Sequence, residues 1–287
     1  MLITKDKRKF YDVPGTIHLH ERKYDLLDPI GAGGNGSVLE CLDDEGKSYA
    51  IKFQLNLSDE SIKRFDQEIK VHKMIKHPHV INYIDSGTVT AHEVKKDGDR
   101  ECKIPFLIME KAEGNLADYL KDRNIVAYSE YIQQFLGLSD ALNELHKTAI
   151  HRDIKLENIL IVGDRWVIGD FGLCSFLDEN HEDITRIDEK VGPKYWMSPE
   201  AINRIYNSSV CIVPASDVFQ LSAVFWFVVT LKYPLGIVTA DDWESDDVEI
   251  GKVILSGLTH NTDKRLHNGN ELYHKLKSVV DSNRKSI

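Results

Sequence analysis

The chain has 287 residues, of which 42% are hydrophobic and 29% charged, enough for one large domain or two smaller units with buried cores. Its net charge is −10 at pH 7, from 46 acidic and 36 basic side chains. That sign argues against nucleic acid or an anionic membrane as a partner held through the global field.

The charge is unevenly placed. Segments 178–189 and 241–249 each carry six acids, and Arg186 is the only Lys or Arg in either. They account for the whole imbalance, so the acidity belongs to two loops. Charge runs in loops are commonly solvated, and that is the expectation for 241–249, with a basic partner as its alternative. Cys41, Cys102, Cys174 and Cys211 have no metal-ligand or redox spacing and make no disulfide framework, so a reducing, cytoplasmic setting is expected. The N-terminus lacks an apolar signal core, which argues against secretion. The most apolar stretch, 218–231, is 14 residues long. A membrane span needs about 20, so it reads as a buried core helix.

In chain order, 24–30 and 38–42 read as strands around a glycine-rich turn. Asp43-Asp44-Glu45-Gly46 then bends the chain into a strand over 48–53, a hairpin signal. Ser58 suits a helix cap, with Asp59 and Glu60 favouring the positive end of the dipole. Ile62, Phe65, Ile69 and Ile75 follow at helical spacing. Two more strands are expected over 80–84 and 104–109, with a solvated hairpin tip over 95–100. The second half reads as helices: Ile132, Leu136, Ser139, Leu142 and Leu145 share one face, and later helices cover 218–231 and 272–280. Strands first and helices after predict a two-lobed α+β protein with a boundary near 112–115.

The chemistry sits in ordered motifs. Gly31-Ala32-Gly33-Gly34-Asn35-Gly36-Ser37-Val38 is a GxGxxGxV pattern. A dinucleotide fingerprint would open a helix. Here the next segment is a strand ending in Ala50-Ile51-Lys52, so the loop joins two strands. Glycines there let a backbone approach a phosphate. Lys52 could be a solvated edge residue, or it could be held by Glu68 on the following helix. His151-Arg152-Asp153-Ile154-Lys155-Leu156-Glu157-Asn158 and then Asp170-Phe171-Gly172 form the strongest signal. The spacing suits phosphoryl transfer: Asp153 can accept a hydroxyl proton, Asn158 and Asp170 offer hard oxygen ligands for Mg²⁺, and Lys155 places a positive charge near the transferred phosphate.

On these motifs the chain resembles a eukaryotic-type (Hanks-type) serine/threonine protein kinase over residues 24–280. The resemblance implies a bilobal kinase-like α+β fold: an N-terminal extension over 1–23, an N-lobe over 24–112 with an antiparallel sheet and one helix, and a mainly helical C-lobe over 113–287. It implies ATP as phosphoryl donor with Mg²⁺, Mn²⁺ being an alternative. Asp153 would be the catalytic base, aided by Lys155, and Lys52 would hold the α/β phosphates and pair with Glu68. Asn158 and Asp170 would bind the metal. Ile30, Gly31, Ala32, Gly33, Gly34, Asn35 and Gly36 would cover the nucleotide. Val38, Ala50 and Leu160 would sandwich adenine, beside the gatekeeper Met109 and hinge residues Glu110 and Ala112. Glu200, in a Met197-Ser198-Pro199-Glu200 segment similar to the family's APE motif, would pair with Arg265, and Asp217 would be the buried aspartate of the central helix.

Lys155, two residues after Asp153, is the serine/threonine variant. Pro193 stands where such kinases usually have Thr, so dual specificity is an open alternative. His72 takes a position the family usually fills with an apolar residue, while Phe219 and Ser222 replace its usual Trp and Gly. The short C-terminal lobe suggests trimmed substrate-docking helices. Segment 178–189 falls in the activation segment. Its acids would favour basic peptides, and Thr185 or Ser175 would be phosphorylation sites read by Arg152. Protein substrates and autophosphorylation are expected, with no nucleic acid or membrane partner and no reading of oligomeric state. A pseudokinase scaffold and a small-molecule phosphotransferase are the competing classes. Intact Lys52, Asp153 and Asp170 argue against the first, and the glycine loop with Pro199-Glu200 argues against the second.

Overall fold

The computed structural model describes residues 1–5, 9–33, 36–177, 195–207 and 209–285. Segment 178–189, Thr185, Pro193, Gly34 and Asn35 therefore lie outside the described residues. The chain divides into two compact units. One comprises Met1–Met74 and Ile81–Ala112, the other Ile75–Val80 and Glu113–Ile287.

The first unit is an eight-stranded antiparallel sheet with one helix. Its strands are β1 (Leu2–Lys5), β2 (Lys9–Asp12), β3 (Thr16–Leu19), β4 (Arg22–Gly33), β5 (Gly36–Leu42), β6 (Ser48–Gln54), β7 (Tyr83–Glu93) and β8 (Arg100–Glu110), with α1 (Asp59–Met74) after β6. The spatial order is β1-β2-β7-β8-β6-β5-β4-β3. Residues 1–23 thus contribute three strands, and Ile3, Tyr11, Val13 and Ile17 are buried with Phe53, Leu55, Phe106 and Ile108 in one apolar core. Before α1, Ser58 Oγ accepts from the Ser61 amide at 3.3 Å. The buried side chains of α1 are Phe65, Glu68, Val71 and His72, one face at helical spacing.

The strand expected over 80–84 is displaced. β7 begins at Tyr83 and runs through 11 residues. Val80 instead makes an isolated parallel bridge to Ile168, in the second unit. Segment 75–80 is held there by polar contacts: His79 Nδ1 lies 2.7 Å from the Trp166 carbonyl, and the Ile168 amide donates to the His79 carbonyl. The segment therefore leaves the sheet pattern that its apolar residues suggested.

The second unit contains β9 (Gly114–Asn115), α2 (Leu116–Leu120), α3 (Tyr128–Leu145), β10 (Ala149–Ile150), β11 (Ile159–Val162), β12 (Arg165–Ile168), β13 (Ser175–Phe176), α4 (Pro199–Arg204), α5 (Pro214–Thr230), α6 (Val248–Gly257) and α7 (Gly269–Lys285). Its core centres on α3 and α5, where Phe135 and Phe225 stack with ring centroids 3.9 Å apart. No described helix is long and apolar enough to cross a membrane. Ser222 is buried against Gly257, where a Cβ would fall 2.0 Å from Ser222 Oγ. The glycine makes room for the hydroxyl that replaces the family's usual glycine on α5.

Among the described residues, only a 3₁₀ turn at Ala240–Asp242 lies between α5 and α6. Most acids of 241–249 have work inside the chain. Asp242 accepts from the Thr239 amide and hydroxyl, and Asp247 accepts from the Tyr131 hydroxyl at 2.9 Å. Glu244 pairs with Lys232 and Glu249 with Lys252. Five of the six acids are exposed, and Asp247 is half-buried.

Candidate active site

In the first unit, β4 and β5 form the glycine-rich hairpin, with Gly31 opposite Val38, Ala32 opposite Ser37 and Gly33 opposite Gly36. A Cβ on Gly36 would sit 2.1 Å from the Phe53 carbonyl oxygen of β6, which no flexible side chain could relieve. Gly36 is thus required by strand packing, a different reason from phosphate approach. At Gly31 the nearest neighbour of such a Cβ is Val38 at 3.7 Å, an ordinary contact.

Lys52 on β6 and Glu68 on α1 are brought together, with Nζ donating to Oε1 at 2.6 Å. The Glu68 side chain is only 4% exposed, so its charge depends on this cation. Ala50 is buried and pairs with Met109 across β6 and β8, while Val38, Met109, Glu110 and Ala112 are half-buried and Ile30 is exposed. Beside these, Lys111 Nζ and Ser48 Oγ both donate to Glu40 Oε1 at 2.6 Å. That contact ties the end of β8 to β5 and holds the Glu40 carboxyl below its usual range.

In the second unit, β10 leads into residues 151–155, a 3₁₀ turn at Leu156–Asn158 and β11. Lys155 Nζ and Asn158 Nδ2 donate to Asp153 Oδ2 at 2.9 Å and 2.8 Å. Asn158 Nδ2 also donates to the Asp153 carbonyl, so two acceptors identify that atom as nitrogen. Its Oδ1 is left for a cation. Burial raises the Asp153 pKa, and Lys155 opposes the rise. A poised carboxylate of this kind is suited to accept a proton.

The loop is strained and braced. Arg152 has φ 71° and Asp170 φ 56°, both in the left-handed region that non-glycine residues avoid. Asp217 on α5, fully buried, accepts from the amides of His151 at 2.6 Å and Arg152 at 2.8 Å. His151 Nδ1 accepts from the Asp153 amide, so Nε2 is the nitrogen that donates to the Gly169 carbonyl, next to Asp170. The His151 ring also lies 5.2 Å from that of Phe171.

Two braces escaped the sequence reading. Gln220 Oε1 accepts from the Ile154 amide, and its Nε2 donates to the Arg152 carbonyl. Its signal was a lone amide in an apolar run, three residues after Asp217 and so on the same helix face. His146 Nδ1 accepts from the Gly269 amide, and its Nε2 donates to Asp217 Oδ2 at 3.0 Å.

Asn158 and the exposed Asp170 carry hard oxygen ligands of the kind a divalent cation takes. Among the described residues, no group of three or more His, Cys, Asp or Glu could hold a metal ion. Leu160 is half-buried on β11. Glu200 and Arg265 form a bidentate pair at 2.7 Å and 3.1 Å. Arg265 lies 5.0 Å from the ring of Phe219, the residue that replaces the family's Trp. Ser175 lies half-buried on β13, opposite Ile150.

Residues 24–286 match the family described as protein kinase domain, nearly the whole chain. The chain belongs to the protein kinase domain family. It is 34% identical over 193 residues to serine/threonine-protein kinase pak-1 of Caenorhabditis elegans, covering 64% of this chain and 30% of that protein. It is 29% identical over 219 residues to the probable serine/threonine-protein kinase PknB of Bifidobacterium longum, covering 74% of this chain and 31% of that protein. Serine/threonine-protein kinase Nek4 of Mus musculus is 30% identical over 220 residues, covering 73% and 25%. The kinase chain thus spans under a third of the length of these relatives.

Proposed function

We propose that this kinase transfers the γ-phosphoryl group of ATP to serine or threonine hydroxyls of proteins, itself included. The observation that carries the reading is the Asp153 carboxylate held between Lys155 and Asn158 on a braced, strained loop. Lys155 at that position and the serine/threonine kinases among its relatives support the hydroxyl class.

Asp153 orients the acceptor hydroxyl and takes its proton, and Lys155 offsets charge on the transferred group. Lys52, aimed by Glu68, neutralises phosphate charge, and Met109, Glu110 and Ala112 bound the adenine side. Asn158 and Asp170 would hold Mg²⁺, which when bound screens the phosphate oxygens and orients the nucleotide. The acids of 178–189 support a preference for basic acceptor peptides. Four unbridged thiols suit a reducing, cytoplasmic setting.

Incubation of the protein with ATP, Mg²⁺ and a mixture of protein and metabolite acceptors, read by mass spectrometry, tests the reading. Phosphoserine and phosphothreonine are expected. Phosphotyrosine alone, or transfer to metabolites alone, would overturn it.

The pH dependence has a definite sign. Asp153 must be ionised to accept a proton, so activity falls as pH drops through its raised pKa. Lys155 holds that pKa down, so Lys155→Met should move the acid limb of the kcat/KM profile to higher pH as well as lowering its plateau. A limb that stays in place would remove Lys155 as the group tuning Asp153.

A further inference from the structure

The protein kinase domain match starts at residue 24, yet the strands before it are built into the sheet that carries Lys52, at its two edges. Tyr11 on β2 is 2% exposed, and its hydroxyl donates to the Leu55 carbonyl at 3.2 Å in a buried setting. Leu55 lies three residues after Lys52 and four before the start of α1. On the other side of the same connection, buried Gln54 donates through Nε2 to the Asn56 carbonyl and to the Ser61 carbonyl in the first turn of α1. Leu55 is buried in the core that holds Ile3, Tyr11 and Val13, with Leu57 packed against it.

The helix so entered buries a narrow face and carries Glu68 on it. The angle at which the chain enters α1 therefore sets where Glu68 stands relative to Lys52. A bond of 2.6 Å tolerates little displacement before it weakens. Resting on the role proposed above for the Lys52–Glu68 pair, we infer that the N-terminal strands act as a clamp on the β6–α1 connection, and that Tyr11 is a positioning residue for that pair. It touches neither nucleotide nor acceptor. Its hydroxyl fixes the Leu55 carbonyl, within the connection that leads into α1.

A double-mutant cycle in the full chain separates positioning from bulk stabilisation. Tyr11→Phe keeps the ring in the core and removes only the hydroxyl. Alone, it should lower kcat/KM for ATP by about three- to tenfold, the scale of one buried hydrogen bond, and speed amide exchange over 59–66 while leaving 9–12 protected. In a Glu68→Gln background, where the pair is already broken, the same change should cost less than about twofold. An equal loss in both backgrounds, or no loss in the wild type, would overturn the clamp. Full activity in Glu68→Gln alone would instead overturn the role of the pair, and the clamp with it. Unaltered exchange over 59–66 in Tyr11→Phe would refute the clamp independently of activity.

Discussion

Asp153→Asn should give a folded protein that binds nucleotide and barely transfers phosphate. The amide has the carboxylate's shape, and its oxygen can still accept from Lys155 and Asn158, whose donors stand 2.9 Å and 2.8 Å from Oδ2. What it loses is the capacity to take a proton. Removal of a positioned general base costs about 10²- to 10⁴-fold in turnover, and a loss of that order in kcat, with nucleotide affinity held within about twofold, is expected. Stability should move the other way, or not at all. Burial raises the Asp153 pKa, so the folded state disfavours the ionised form. A group of this sign takes stability away as pH rises from its unfolded value through its folded one. A neutral isostere escapes that cost, so the melting temperature at pH 7 should be unchanged or higher. Lys155, a quarter exposed, can turn to water once its partner is neutral. The measurements are steady-state phosphate transfer, nucleotide titration and thermal unfolding on the same preparation. Wild-type turnover in this variant would remove Asp153 as the base.

The order of the motifs was readable from the chain because phosphate and metal chemistry restricts residue types. A carboxylate, a lysine and a carboxamide at short spacing announce themselves, as Asp153, Lys155 and Asn158 do. Partners distant in sequence were legible where a family pattern paired them, as for Arg265 with Glu200. Gln220 was not legible in this way. A glutamine in an apolar helix has no intrinsic meaning until the loop carbonyl and amide that it satisfies are brought to it. Tyr11 was invisible for the same reason, since its partner is a backbone carbonyl 44 residues away, and backbone atoms leave no trace in composition. The β7 boundary failed differently. Val80 and Ile81 have the apolar character of a strand, but His77 and His79 make polar contacts in the second unit and take Val80 out of the sheet. Gly36 has a packing reason that the motif does not show. Periodicity and glycine content show where a loop bends, but not that a carbonyl of the next strand occupies the space of its missing side chain.

Arg265→Leu should be the most destabilising of these changes. The Arg265 side chain is fully buried and makes a bidentate pair with Glu200, whose own side chain is 7% exposed. It also donates to the carbonyls of Ala215, Thr259 and His260. Loss of one member of a buried pair strands the other charge and costs about 3–5 kcal/mol. In a chain of this size that is a fall of roughly 6–20 °C in melting temperature. Leucine matches part of the lost volume, so the deficit would be chiefly electrostatic. The pH dependence identifies it. Burial alone would push the Glu200 pKa up, but hydrogen bonds from Arg265 and Ser216 outweigh it, and the net shift is down. A lowered folded pKa contributes stability that is present above the unfolded value and lost as pH falls through the folded one. Without Arg265, burial prevails and the sign reverses. The gap between wild type and variant should therefore be widest near neutral pH and narrow in acid, where Glu200 is protonated in both. Arg265→Leu/Glu200→Leu, with neither charge left in the site, should recover at least half of the loss at pH 7. A gap that does not change with pH, or a double variant no better than the single, would assign the loss to packing and to the three stranded carbonyls in place of the ion pair.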